Sequence, residues 1–175
     1  MTEPENNAAM IVGAYEAFGR GDIPGALELF AEDISWHVPG RGPLSREYRG
    51  PTEVLGFFNH FMRLSEGTFK IRIDEVFAKG DRVIILCTET ARRGGRDWSS
   101  SQVHVWTLRD GRAIAFREYE GDQQGEDEFW SMRILNRLIP PPSQFRSNCA
   151  QRSTSMHSGG ELERSSDWFT QSQAR

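Results

Sequence analysis

Residues 97–120, DWSSSQVHVWTLRDGRAIAFREYE, contain two stretches in which apolar and polar side chains alternate, joined by RDG at 109–111. Alternation with a period of two is typical of a β-strand, and Asp-Gly between two such stretches is typical of a hairpin. The same period begins near residue 69, and the earlier connections, KGD and RRGG, are short. Short connections join antiparallel neighbours. We therefore predict four successive antiparallel strands, at 69–78, 82–92, 97–108 and 112–120.

The residues before this meander follow a helical period instead. Residues 8–19 place Ile11, Tyr15 and Phe18 on one face of a helix. Asp22 can cap a second helix. The apolar positions of that second helix are expected to be Leu27, Leu29 and Phe30.

A third helix is predicted to begin at Pro51. Its broad apolar stripe consists of Val54, Phe57, Phe58, Phe61, Met62 and Leu64. Between the second and third helices, ISWHV at 34–38 alternates as a half-buried strand does. The Gly/Pro-rich residues 39–50 follow it and predict a loop long enough to act as a rim or lid.

Helices grouped before strands define the α+β class. We predict a cone-shaped, curved antiparallel sheet packed against three N-terminal helices and enclosing a pocket at its open end. An amphipathic segment at 126–138 is expected to cover one end of the sheet. From residue 140 the composition turns to Ser, Gln and Arg without an apolar period. We therefore predict one domain at 1–139 and a disordered tail at 140–175.

The composition excludes several classes of function. A formal charge of −4 gives no electrostatic reason to expect nucleic acid or an anionic membrane surface. The longest apolar run, at 83–87, is far too short to cross a bilayer. The first ten residues carry acids where a signal peptide needs basic residues, which predicts a cytoplasmic protein. The two cysteines, Cys87 and Cys149, do not indicate a disulfide or metal framework.

The chain lacks the motifs of several cofactor sites and of one class of nucleophile. No spacing of His, Cys, Asp and Glu predicts a metal site. GRGP at 40–43 lacks the Lys and the helix start of a phosphate loop, and no nucleophile elbow is present. We therefore expect neither a metal nor another cofactor.

Three segments resemble a known family: AYEAFGRGDIPGALELFAEDISWHVPG at 14–40, YRGPTEVLGFF at 48–58 and DGRAIAFREYEGD at 110–122. They are similar to the SnoaL-like branch of the nuclear transport factor 2-like superfamily. That superfamily includes ketosteroid isomerases, polyketide cyclases and limonene-type epoxide hydrolases. The likeness runs roughly from residue 8 to residue 130. It is specific for the fold and weak for any single reaction.

The resemblance implies different roles in different branches. The catalytic aspartate of ketosteroid isomerases falls on Val38, which disfavours isomerisation by that base. The polyketide cyclases pair a histidine on the penultimate strand with an acid on the last strand, and these positions hold His104 and Glu118.

The epoxide hydrolases are matched only in part. Their two catalytic carboxylates fall on Glu118 and near Glu89. The arginine between those carboxylates has no match, since Cys87 or Thr88 stands there. Their tyrosine and asparagine positions fall on Trp36 and Val38, which cannot jointly hold a water.

Whether His104 and Glu118 face each other depends on the hairpin turn. A tight two-residue turn at Asp110 and Gly111 pairs His104 with Arg117. A type I turn with Gly111 in a G1 bulge shifts the register by one and pairs His104 with Glu118. We favour the bulged register.

The bulged register divides the side chains between two faces. Trp106 then opposes Phe116, Gln102 opposes Glu120, and Ile114 joins them on the cavity side. The other face is smaller and apolar, and a homodimer is expected to form through it; its members are Val103, Val105, Ala113 and Ala115.

These residues predict a cofactor-free enzyme that acts by general acid–base catalysis on a hydrophobic carbonyl- or epoxide-bearing molecule, such as a polyketide-like metabolite. Glu118 and His104 are the expected acid/base pair, and Glu89 is a further candidate. His37 points outward by parity, although nearby glycines can twist it inward. The expected substrate-binding residues are Tyr15, Trp36, His37, Val38, Tyr48, Phe57, Phe58, Phe61, Gln102, Trp106 and Phe116.

Two other functions remain open from the sequence. The same cone can hold a hydrophobic ligand without changing it chemically. The chain can also serve mainly as a protein-interaction module that dimerises through the open face of the sheet.

Overall fold

The structure is a computed structural model, and it describes residues 2–132. The predicted tail at 140–175 and the end of the segment predicted at 126–138 lie outside the described residues. Within them there are four helices, α1 (Glu3–Gly19), α2 (Ile23–Leu27), α3 (Gly50–Leu64) and α4 (Gln123–Ser131). The six strands are β1 (Phe30–Val38), β2 (Arg46–Arg49), β3 (Lys70–Lys79), β4 (Arg82–Arg93), β5 (Arg96–Arg109) and β6 (Arg112–Glu120).

The helix starts follow the capping residues in the sequence. The Asp22 side chain accepts a hydrogen bond from the backbone N–H of Gly25 at 3.0 Å and begins α2. Helix α2 ends at Leu27, so the predictions that Leu29 and Phe30 lie on it are wrong. Phe30 instead begins β1, where it is buried against the core.

The six strands form one sheet in the order β2-β1-β6-β5-β4-β3. Strands β1 and β6 pair in parallel, and the other neighbours are antiparallel. The curved sheet does not close, and the predicted α+β class is confirmed. Strand β2 lies within the segment predicted to be a loop.

The β5–β6 hairpin has the predicted register but not the predicted turn. Asp110 and Gly111 have φ angles of 51° and 73°, and Arg109 pairs with Arg112. Positive φ at both central residues defines a tight type I′ turn, so the predicted G1 bulge is wrong. The register nevertheless pairs His104 with Glu118.

A bulge at Ile114 produces this register. Leu108 pairs with Ala113 while Thr107 pairs with Ala115, so Ile114 has no partner residue on β5. Ala113, predicted on the outer face, is therefore fully buried beside Leu108, and Ile114 is only half-buried. Beyond the bulge, Phe116 returns to the inner face.

The core lies between the inner face of the sheet and the helices. Its fully buried members come from both layers and include Ile11, Ile34, Val54, Val83 and Ile85. The outer face is also partly apolar, and on it Phe77 and Tyr119 are 51% and 53% exposed. Among residues 2–132, no helix is long and apolar enough to span a bilayer.

Candidate active site

A cavity of about 70 Å³ lies between the inner face of the sheet, helices α1, α3 and α4, and the loop after β1. Ligand pockets for drug-sized molecules span roughly 300–1,000 Å³, so this cavity suits a small molecule. Eleven of the predicted site residues line it: Tyr15, Trp36, Val38, Phe57, Phe58, Phe61, Glu89, His104, Trp106, Phe116 and Glu118.

Aromatic rings make up most of the wall and fix one another in place. Trp36 stacks on Phe116 with ring centroids 3.8 Å apart. Trp106 meets both rings edge-on, at 5.5 Å from Trp36 and 4.8 Å from Phe116. Interlocked rings of this kind give a rigid apolar surface with few alternative rotamers.

A continuous chain of hydrogen bonds runs along one side of the cavity, and we call it the His104 network: Trp106, Tyr15, His104, Gln102 and Glu89. The Trp106 Nε1–H donates to the Tyr15 hydroxyl at 3.0 Å, and that hydroxyl lies 2.7 Å from His104 Nδ1. His104 Nε2 lies 3.0 Å from Gln102 Oε1, and Gln102 Nε2 donates to Glu89 Oε2 at 3.0 Å.

This chain determines which imidazole nitrogen carries the proton. Because Trp106 already donates to the Tyr15 oxygen, the Tyr15 hydroxyl is free to donate to Nδ1. The proton of His104 then sits on Nε2, where Gln102 Oε1 accepts it and Glu89 Oε1 lies 3.5 Å away. Burial lowers the pKa of His104 to about 3. His104 is therefore a neutral, fully hydrogen-bonded imidazole.

A second feature of the site is a group of acids from β6 and α4, which we call the carboxyl cluster: Glu118, Glu120 and Glu126. Of these, Glu118 and Glu126 line the cavity. Glu120 accepts a hydrogen bond from Ser100 Oγ at 2.9 Å, and the carboxyl groups of Glu118 and Glu126 lie beside it. Adjacent carboxylates repel one another. These surroundings favour protons on the more buried Glu118 and Glu126 and the negative charge on the less buried Glu120.

Burial supports this distribution of protons. Burial raises the pKa of Glu118 well above its usual range, and the negative charges of Glu89 and Glu120 add to the shift. Burial likewise raises the pKa of Glu126 to about 10. Glu120 is only half-buried, and its hydrogen bonds partly offset the rise in its pKa. Acids whose environments separate their pKa values are typical of catalytic sites.

The predicted pair of His104 and Glu118 is thus only partly realised. The two residues pair across β5 and β6, both are buried, and both line the cavity. No hydrogen bond joins their side chains among the described residues. Each belongs to its own network, so the expected direct His–Glu dyad is wrong.

Three residues predicted to bind substrate do not line the cavity. His37 is half-buried and points away from Trp36, as strand parity requires. Tyr48 is buried, but its hydroxyl donates to the Leu44 carbonyl at 2.7 Å. Gln102 lies behind the wall, where it joins His104 to Glu89.

Helix α4 contributes residues that the sequence did not indicate. Glu126, Asp127 and Trp130 all line the cavity. The segment was recognised by its apolar members, and a Glu on a short helix carries no signal of burial. Asp122 caps α4 by accepting from the Gly125 N–H at 3.0 Å, and this signal could have placed the start of the helix before Glu126.

Asp127 also fixes the loop that forms one side of the cavity. Its carboxylate accepts from the backbone N–H groups of Arg41, at 2.9 and 3.0 Å, and Gly42, at 3.1 Å. Gly40 has a φ of 93°, and a Cβ there would meet the Asp127 carboxylate at 2.3 Å. The loop therefore packs tightly on α4, as a rim of the cavity.

Two groups of side chains bring potential metal ligands within 4.8 Å of one another: Cys87, Glu89 and His104, and Glu89, Glu118 and Glu120. In the first group both imidazole nitrogens are already hydrogen-bonded, and burial raises the pKa of the Cys87 thiol. In the second group burial raises the pKa of Glu89 and of Glu118, which disfavours the ionised carboxylates that a metal ion needs. We therefore assign no metal site to either group.

Residues 11–116 match the SnoaL-like domain family. An uncharacterised protein, Rv0034 of Mycobacterium tuberculosis strain ATCC 25618 / H37Rv, is 26% identical over 118 residues, which are 67% of this chain and 90% of that protein. The structure of Bal32a, from a soil-derived mobile gene cassette, is 35% identical with a TM-score of 0.71 and covers 74% of this chain and 99% of its own.

A nuclear transport factor 2-like (NTF2-like) protein of unknown function from Burkholderia pseudomallei K96243 is also similar to this chain. It is 29% identical with a TM-score of 0.66, over 76% of this chain and all of its own. The family match covers more than half of the chain, so the chain belongs to the SnoaL-like family of the nuclear transport factor 2-like superfamily. Members of this superfamily typically bind small hydrophobic ligands.

Proposed function

We propose that this protein is a cofactor-free enzyme that uses general acid–base catalysis on a small, hydrophobic molecule bearing a carbonyl or an epoxide. The observation that carries the proposal is Glu118, a carboxylic acid that is 8% exposed on the wall of an aromatic cavity. A carboxyl group held protonated at neutral pH can donate to a ligand oxygen, as a normally ionised carboxylate cannot.

Glu120 is the proposed proton relay for Glu118. It lies beside the Glu118 carboxyl and is the least buried member of the carboxyl cluster. After Glu118 has given its proton away, Glu120 can take a proton from solvent and pass it on. Glu126 keeps its own proton during this exchange, so Glu118 and Glu126 are never both ionised.

The proposed role of the His104 network is to position the acid side of the cavity. His104 is buried and neutral, and Tyr15 and Gln102 hold its ring from both sides. Its pKa of about 3 makes it a weak base at neutral pH. Glu89 lines the cavity at the end of this network and is a second candidate acid.

An isomerisation illustrates the chemistry. The O–H bond of Glu118 breaks and a new O–H bond forms on the carbonyl oxygen of the ligand. The Glu118 carboxylate then takes the proton from the carbon next to the carbonyl, and the electrons of that C–H bond form the C=C bond of an enol. Where a second C=C bond is conjugated with the enol, Glu118 gives this proton to the far carbon. The C=O bond then re-forms as the Glu118 carboxylate takes the proton back from the enol oxygen, which gives the isomer and restores protonated Glu118. Cyclisation of a carbonyl compound can begin from the same enol.

Enolisation can be measured without knowledge of the natural substrate. We expect the protein to accelerate exchange of the protons next to the carbonyl of small aryl ketones in D₂O, followed by NMR. Glu118→Gln should lower the protein-dependent rate by about 100-fold or more, because general acid–base catalysis contributes roughly 10²–10⁴-fold. Near pH 4.5 the free energy of unfolding should change little, since Gln keeps the shape of the side chain and the cost of holding the Glu118 proton is small there.

Glu128→Gln is the matched control, because Glu128 lies on the exposed side of α4. With Glu128→Gln, the protons of the ketone should exchange as fast as with the unaltered protein. Persistence of exchange in Glu118→Gln at the unaltered rate would sink the proposal.

A second candidate is a binding protein that leaves its ligand unchanged. The observation that favours it is the fully hydrogen-bonded His104 network, which resembles a structural core more than a reactive centre. This function predicts that Glu118→Gln still binds aryl ketones and that no ketone exchanges faster with the protein than without it.

We also propose a homodimer through the outer face of the sheet. Its half-buried apolar residues, Val103, Val105 and Ala115, lie near the exposed ring of Tyr119. Tyr119→Lys should convert a dimer to a monomer in size-exclusion chromatography with light scattering. A monomer before the substitution would refute the dimer.

A further inference from the structure

Trp36 has an indole N–H without a partner. Its Nε1 atom is buried, the side chain as a whole is 6% exposed, and it makes no hydrogen bond within residues 2–132. Trp106, its neighbour in the same wall, donates its Nε1–H to Tyr15 at 3.0 Å. The other buried indole without a hydrogen bond, Trp130, has the Glu126 carboxyl beside it. Buried donors are almost always paired, so the Trp36 N–H calls for an explanation.

The direction of this N–H is set by the surrounding rings. Trp36 is stacked on Phe116 at 3.8 Å and is held edge-on by Phe58 at 5.3 Å and by Trp106 at 5.5 Å. A ring clamped on several sides cannot turn to seek another acceptor. The Trp36 ring lines the cavity, but its Nε1 atom has almost no accessible surface, so a ligand oxygen reaches it only after a small shift of a neighbouring side chain. A donor whose direction is already fixed then binds that oxygen with little loss of entropy.

The charges of the wall restrict which acceptor is suitable. The lining includes the acids Glu89, Glu118, Glu126 and Asp127, and no Lys or Arg among the described residues lines the cavity. An anionic ligand would enter a low-dielectric site beside acidic groups and without a cation to pair with. A carboxylate or phosphate is therefore disfavoured, whereas an uncharged carbonyl or ether oxygen is not.

We propose that the Trp36 indole N–H is the donor that determines specificity, selecting an uncharged, apolar ligand that carries an acceptor oxygen. The inference relies on the proposed function only in taking the cavity to be a ligand site. It does not require catalysis, because a binding protein would use the same donor.

Three probes of nearly equal shape test this donor: acetophenone, ethylbenzene and benzoate. Each is titrated at pH 7 into the full-length protein, and the dissociation constant is measured by ligand-observed NMR. The unaltered protein should bind acetophenone most tightly and benzoate most weakly. Trp36→Phe should weaken acetophenone binding by about tenfold, the usual scale of one lost hydrogen bond, and change ethylbenzene binding less than twofold.

Trp98→Phe is the matched control, because Trp98 stacks on Phe129 at 5.5 Å and does not line the cavity. It should leave all three dissociation constants unchanged. If Trp36→Phe does not fold, the ¹⁵N-labelled indole signals of the unaltered protein replace it. The Trp36 Nε1–H resonance should then shift downfield with acetophenone and not with ethylbenzene.

Several results would overturn the inference. Equal weakening of acetophenone and ethylbenzene in Trp36→Phe would mean that the indole only fills space. An unchanged acetophenone constant would mean that the N–H contacts no ligand oxygen. Benzoate binding as tight as acetophenone binding, or binding of no probe at all, would also refute it. This test is independent of the enolisation test. The protein can fail to accelerate proton exchange of ketones and still show this selectivity for acetophenone. It can also accelerate the exchange without showing the selectivity.

Discussion

The His104 network and the carboxyl cluster lie side by side on the inner face of the sheet, and they hold their protons in different ways. In the network each donor meets one acceptor, from Trp106 through Tyr15 and His104 to Glu89. In the cluster two protonated acids converge on Glu120. The network has one favourable arrangement of protons, whereas the cluster has several within reach.

This difference suggests that the His104 network stabilises the fold and that the carboxyl cluster transfers protons. A network with every group paired stabilises the fold and resists change, because any shift leaves a buried group unpaired. A cluster of adjacent acids can give up and regain a proton with small movements. We therefore expect substitutions on the two sides to separate stability from chemistry.

The largest expected effect on stability comes from His104. His104→Ala leaves the Tyr15 hydroxyl and Gln102 amide oxygen without their partner and opens a cavity. We expect the free energy of unfolding to fall by about 3 kcal/mol, measured by urea denaturation. Glu118→Gln, measured near pH 4.5 where the cost of holding the Glu118 proton is small, should change it by less than about 1 kcal/mol. Similar losses in both variants would remove the distinction between the two sides.

Replacement of Glu126 should raise the free energy of unfolding instead of lowering it, and the gain should depend on pH. Its pKa is raised from 4.5 to about 10 by burial, so above pH 4.5 the folded protein keeps a proton that the unfolded chain releases. The free energy of unfolding therefore falls as the pH rises from 4.5 toward about 10. Glu126→Gln removes that cost, and we expect it to be more stable than the unaltered protein by about 2 kcal/mol at pH 8.

The gain in Glu126→Gln should shrink as the pH falls toward 4.5. Glu128→Gln, on the exposed side of the same helix, should show neither the gain nor its pH dependence. Urea denaturation at several pH values measures both. A gain of constant size across the pH range would mean that Glu126 is ionised in the folded protein.

The smallest effect is expected at Tyr15, which shares its hydroxyl between two partners. Tyr15→Phe removes the donor to His104 Nδ1 and the acceptor of the Trp106 N–H. We expect a loss of about 1–2 kcal/mol in the free energy of unfolding. No loss would indicate that the two neighbours find other partners, and the network would then be less restrictive than proposed.

The sequence predicted the fold well because its signals are local. The alternation at 69–120 and the Asp-Gly turn located the meander, and Asp22 and Pro51 located two helices. The register was the harder problem. It depends on a bulge at Ile114, and nothing in the local sequence distinguishes Ile114 from its neighbours.

The site was predictable only where strand parity sufficed. Trp106, Phe116 and Glu118 follow from alternation once the register is known. The separation of His104 from Glu118 could not be foreseen, because it depends on Tyr15 reaching His104 from a helix 89 residues away in the chain. The burial of Glu126 likewise depends on where α4 lands on the sheet.

The central claim is that Glu118 stays protonated at neutral pH, and ¹³C NMR of side-chain carboxyl groups tests it most directly. The Glu118 signal is identified by its loss in Glu118→Gln, and its chemical shift is followed as the pH is raised. We predict that the signal keeps the shift of an undissociated acid at pH 7 and changes only well above the ordinary pKa of 4.5. Titration of Glu118 near 4.5 would contradict the account.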